Sequence, residues 1–119
     1  MSEVQEILSR HPQVRIQVFV LWAPYLQQDS RQTAQRAAAY LADSRVRHFW
    51  DLWRFGSRIY AEQLPVPIQD AWDMMAFYKP HLSWREDPPP PTFWMQNRGL
   101  SVGTPYSKQA LEAELRRWF

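Results

Sequence analysis

A chain of 119 residues is long enough for one domain with its own core, and with no cysteine it has no disulfide, thiolate metal site or dithiol redox chemistry. The 14 basic and 12 acidic side chains leave a net charge of +2 and are interspersed, so the basic stripe of a nucleic-acid binder is missing. No apolar run approaches the roughly 20 residues of a spanning helix, and the first residues lack the apolar stretch of a signal peptide; one cytoplasmic domain over residues 1–119, with no membrane span, is the expectation.

Ser2 and Gln5 have capping-box spacing, and Val4, Ile7 and Leu8 share a helical face. A short helix to Arg10, within an N-terminal extension of residues 1–11, is expected, broken by His11-Pro12. Residues 14–25, VRIQVFVLWAPY, alternate at first and are then unbroken apolar from Val18 to Leu21. That pattern predicts the central strand of a sheet, buried on both faces by its end. Asp29 with Gln32 marks the start of a helix that aligns Ala34, Ala37, Ala38 and Leu41 and stops at Asp43-Ser44. Residues 46–51, VRHFWD, read as a second strand, completing a parallel βαβ unit.

Leu52, Phe55, Ile59 and Tyr60 recur at helical spacing, so a second crossover helix is expected to about Leu64, with Gly56 on its packed face. Residues 71–78 predict a third strand with Asp73 inside it. An irregular loop follows over residues 79–92, containing four consecutive prolines. A fourth strand at the sheet edge is expected over Phe93–Gln96. Thr104 before Pro105 reads as the cap and first position of a last helix, whose inner face carries Leu111, Leu115 and Trp118.

This element order resembles that of the thioredoxin fold, and VFVLWAP, residues 18–24, looks like the strand and turn leading into the active site of thioredoxins. The segments RHFWD, AWD and PPPTFWM, at residues 47–51, 71–73 and 89–95, are similar to those of small bacterial proteins without the redox cysteine pair. The resemblance implies an α/β, thioredoxin-like, single three-layer domain whose four-stranded mixed sheet, in order 2-1-3-4, is flanked by helices. Tyr25-Leu26-Gln27-Gln28 stands where a thioredoxin places its cysteines, so redox exchange does not carry over.

With that strand order, the ends of the first three strands gather Trp22, Tyr25, Gln28, Trp50, Asp51 and Asp73, with Asp70 and Trp72 nearby, where open α/β sheets bind ligands. Asp29 and Asp51 read first as helix caps. Asp73, inside an apolar strand, needs a partner, because an unpaired buried charge is prohibitive; a Trp Nε1–H, Arg47 or a backbone amide would serve. His11, His48 and His81 lie in separate segments with no i, i+4 pair, so no metal site, cofactor or catalytic residue is assigned. His48 shares a strand face with Val46 and Trp50 and reads as a satisfied core or edge residue.

The loop supplies a second patch, Trp84, Pro89, Pro90 and Trp94, in which the tryptophans are expected to stack on a polyproline run and to present a partner interface. Seven Trp in 119 residues exceed what a small core requires. The expected function is a non-redox protein-interaction or assembly module, with a protein partner or a second copy of the chain. The alternatives are a small-molecule binder, or a small enzyme using an aromatic and carboxylate cleft at Trp22, Asp51 and Asp73.

Overall fold

The structure, a computed structural model, describes residues 2–63, 73–96 and 103–119. In chain order the elements are α1 (Ser2–Arg10), β1 (Val18–Trp22), α2 (Arg31–Ala38), β2 (Val46–Trp50), α3 (Phe55–Gln63), β3 (Met74–Phe77), β4 (Phe93–Gln96), β5 (Thr104–Pro105) and α4 (Lys108–Trp118). They form two compact units, one of residues 1–55 with Phe119 and one of residues 56–118.

In the first unit, β1 and β2 pair in parallel, in register from Val18↔Val46 to Trp22↔Trp50. The intervening α2 packs on β2, as a crossover between parallel strands requires. Ile7, Leu8 and Leu41 are its buried side chains. Strand alternation sends Val18, Val20, Trp22, Val46, His48 and Trp50 to one, partly buried face. The other face carries Phe19, Leu21 and Phe49, which remain 48%, 45% and 49% exposed. Burial of Val18 to Leu21 on both sides, expected from their unbroken apolar run, is therefore overturned: a hydrophobic side chain reads the same whether covered or not.

Arg45 ties this unit together. Its Nε and Nη2 donate to the two carboxylate oxygens of Asp43 at 2.9 and 2.8 Å. Nη1 donates to the carbonyls of His11 and Val14, and Nη2 also to that of Leu8, all within 2.9 Å. The five N–H donors of a guanidinium are thereby all used. These three carbonyls lie in the last turn of α1 and the segment after it, and those of Leu8 and His11 each also accept a backbone N–H, from His11 and Val14. The segment before β1, read as strand from Val14, is held by this side chain and by Gln17 Nε2 donating to Arg45 O at 2.6 Å; the strand itself begins at Val18.

The cap of α2 is Ser30 rather than Asp29. Ser30 Oγ accepts from Thr33 N, and Thr33 Oγ1 accepts from Ser30 N. Asp29 instead closes the preceding turn, its Oδ2 accepting from Leu26 N at 2.7 Å and Tyr25 N at 2.9 Å. These bonds, Leu26 first, hold its carboxyl below its ordinary pKa. Asp29-Gln32 and Ser30-Thr33 have the same spacing, and the geometry of the turn decides between them.

In the second unit, β3 and β4 are antiparallel, from Met74↔Gln96 to Phe77↔Phe93, and β5 adds in parallel to the other side of β4. Ala61, Phe77, Met95, Gln96, Leu111 and Leu115 are buried. β4 is thus the middle strand, not an edge. Thr104 and Pro105 form β5 and not a helix start; α4 begins at Lys108, with Ser107 Oγ accepting from Ala110 N at 3.0 Å. Gly103, at φ +68°, lies so close to Trp94 that a Cβ would fall on its carbonyl oxygen and 2.6 Å from its Cβ. That approach is open to glycine alone.

The fold expected from the thioredoxin resemblance is overturned. Among the described residues the strands form two sheets, β1-β2 and β3-β4-β5, rather than one four-stranded sheet in order 2-1-3-4. β3 pairs with β4 and not with β1, and the far side of β4 is taken by β5. Strands of four or five residues carry little information on which partner they will choose.

Candidate functional site

The carboxyl ends of β1 and β2 bring together four of the six residues expected at a cleft. Trp22 and Trp50 are register partners, and Asp51 N donates to Trp22 O at 2.7 Å, extending the ladder by one bond. Asp51 Oδ1 accepts from Phe55 N at 3.0 Å, supplying the first amide of α3 with an acceptor. Arg54 N donates to Asp51 O at 3.1 Å, and its guanidinium stands 5.4 Å from the ring centre of Tyr25, a cation–π distance. Arg54 adopts φ +58°, a left-handed conformation uncommon for a residue with a Cβ. Gln28 is exposed in the turn before α2.

The expected cleft also depended on Asp73 lying inside a strand paired beside β1, and that assignment is overturned. Asp73 does not sit inside a strand: it precedes β3, is exposed, and has φ +54°. It belongs to the second unit, whereas Trp22, Tyr25, Trp50 and Asp51 belong to the first. Because β1 and β3 are not paired, the strand ends that were to set Asp51 and Asp73 side by side are not neighbours in one sheet. Asp70 and Trp72 lie outside the described residues, as does Leu64 at the expected end of α3.

His48 has both ring nitrogens engaged. Trp22 Nε1–H donates to Nδ1 at 3.0 Å, and Nε2 is 2.8 Å from the carbonyl oxygen of Leu41. An indole nitrogen only donates and a carbonyl only accepts, so the neutral ring carries its proton on Nε2. Among the described residues, no three His, Asp or Glu side chains converge as a metal site would need, and no helix is long and apolar enough to cross a membrane.

The second patch lies in the second unit. The hairpin between β3 and β4 is closed by Thr92 N donating to Phe77 O at 2.8 Å and Lys79 N donating to Thr92 Oγ1 at 2.9 Å. Trp84 and Trp94 pack on tyrosine: the Tyr60 ring centre lies 5.6 Å from that of Trp94 and 6.4 Å from that of Trp84, both edge-on. Trp84 also meets Tyr78 at 5.4 Å. The Tyr60 and Tyr78 hydroxyls are hydrogen-bonded at 2.9 Å. Burial is the main force raising both phenol pKa values, and the shared bond adds to the rise for Tyr60. Pro88 is reached from α3, through Gln63 Nε2 donating to its carbonyl oxygen at 2.9 Å.

Sequence reasoning did not find Arg54, because nothing in the residue type announces a positive φ. It also missed Arg45 as the organiser of the first unit. The Asp43-x-Arg45 spacing was a weak local signal, but the three carbonyls lie more than 30 residues away. Leu52 and Phe55, read as part of a packed helical face, are exposed together with Trp53; α3 starts only at Phe55. Comparison with protein families, curated proteins and solved structures finds no match to this chain.

Proposed function

We propose that the protein is an interaction module that binds another protein chain through the outer face of its parallel strand pair. The exposure of Phe19, Leu21 and Phe49 on that face carries the reading. Parallel strands are ordinarily covered on both sides, and contiguous exposed apolar side chains mark a surface built to be covered. Phe19 and Phe49 have ring centres 6.1 Å apart, and Leu21 is the register partner of Phe49, so the three side chains form one patch. Arg47, opposite Phe19 in the register, sets a charge beside it. Farther along the chain, Trp53 is 67% exposed, and tryptophan is the residue type most enriched among binding hot spots.

Sedimentation velocity over a wide concentration range tests the reading, with the wild-type chain beside Leu21→Ser/Phe49→Ser. Both positions are already half exposed, so the double variant retains the far-UV spectrum of the wild type. Concentration-dependent association, or a complex with a co-purified protein, is expected of the wild type and lost in the variant. A strict monomer that retains no partner, or association unchanged by the two serines, would sink the proposal.

A further inference from the structure

The four consecutive prolines of the second unit are conformationally restrained. Each proline ring fixes φ, and Pro88, Pro89 and Pro90 each precede another proline, which confines them to the extended region. These restraints, with no cis peptide bond among the described residues, favour the left-handed helix of three residues per turn. Pro88 and Pro91 share an edge, and Pro88 is secured through its carbonyl by Gln63 of α3. Upstream, Trp84 packs on Tyr60, one turn before Gln63 on the same helix. Pro89 and Pro90 occupy the other two edges; Pro90 is exposed and Pro89 half-buried.

We infer that Pro89 and Pro90 form a docking ridge for a protein domain with an aromatic-lined groove of the kind that reads polyproline helices. The inference rests on the interaction-module reading but uses different residues from the sheet face. Two adjacent rings on a polyproline helix fill a slot between aromatic side chains. Because this segment is fixed at Pro88 and by the hairpin closure at Thr92, little ordering entropy remains to be lost on binding. Exposed Glu86 and Asp87 immediately upstream outweigh the equally exposed Arg85 beside them and favour a groove with a basic rim.

The test is titration of the full chain against purified SH3, WW and EVH1 domains, with decaproline peptide as competitor. Saturable binding to at least one domain is expected, displaced by decaproline and weakened about ten-fold or more in Pro89→Ala/Pro90→Ala. Pro90→Ala alone, at an exposed position, gives the same direction of change should the double variant fail to fold. No binding by any of the domains, or binding indifferent to these substitutions, overturns the inference. Loss of self-association in the double variant also overturns it, by making a second copy the occupant. Retention of the ridge interaction in Leu21→Ser/Phe49→Ser separates this result from the fate of the sheet-face proposal.

Discussion

Trp22, the last residue of β1, donates its indole N–H to His48 Nδ1 on β2 across 3.0 Å, joining positions 26 residues apart in the chain. The rings lie near parallel, with centres 6.0 Å apart and planes inclined by 26°. With Leu41 O accepting at the other ring nitrogen, the imidazole links both strands to the end of the crossover.

Trp22→Phe keeps an aromatic ring at this half-buried position but removes the donor and the pyrrole part of the indole. His48 Nδ1 is then left without its hydrogen bond in a partly buried site, and a loss of about 1–3 kcal/mol in unfolding free energy is expected. The urea midpoint measures it. Nitrogen-15 spectra of the neutral ring are expected to show the Nε2–H tautomer in the wild type; an Nδ1–H tautomer would contradict the assignment.

Arg45 and Asp43 make the first unit sensitive to acid. The Arg45 side chain beside Asp43 holds its carboxyl down to about 2, from an ordinary 3.8. A carboxyl whose folded pKa is depressed contributes stability that is complete above its unfolded value and drains away as pH falls through the folded one. The contribution, about 1–2 kcal/mol after solvent screening, is expected to disappear between about pH 4 and pH 2. Asp43→Asn flattens that part of the stability–pH curve.

Arg45→Lys keeps the charge and gives up the geometry. An ammonium has three donors where the guanidinium uses five, so the carbonyls of Leu8, His11 and Val14 cannot all be served together with Asp43. A cost of about 2–4 kcal/mol is expected, with the earliest hydrogen exchange at the end of α1. A variant as stable as the wild type would show the five-bond arrangement to be incidental.

Gly103→Ala is expected to destabilise the second unit by about 2–4 kcal/mol, because the added methyl meets the backbone of Trp94 and the residue must hold φ +68°. Thermal unfolding followed by tryptophan fluorescence reads the change directly. A midpoint unchanged within error would argue against the close seating of β5 on β4.

Alkaline titration separates the tyrosines. Of the five in the chain, Tyr60 and Tyr78 are held protonated above the ordinary phenol value of 10.0 by burial. A raised folded pKa means stability that is complete below the unfolded value of 10.0 and is lost as pH climbs from there toward the folded value. Ultraviolet absorbance is expected to show Tyr60 and Tyr78 ionising late, together with unfolding. Tyr60→Phe is expected to remove one late-ionising group.

The sequence alone placed α1 at Ser2–Arg10 and β4 at Phe93–Gln96, and it implied the parallel pairing of β1 and β2 around a crossover. Periodicity, caps and breakers act within a few residues, and these are the features they control. The gathering of Trp22, Tyr25, Trp50 and Asp51 followed from the same local logic, because the ends of two parallel strands meet whatever surrounds them. Tertiary structure decided the rest. Pairing β3 with β4 and β5 is a competition among short strands that no local pattern settles. The choice of Ser30 over Asp29 as a cap depended on where the preceding turn aimed its amides. The left-handed backbone of Asp73 took that carboxylate out of the strand, and Phe19, Leu21 and Phe49 stayed exposed because apolarity records a preference for cover without naming what provides it.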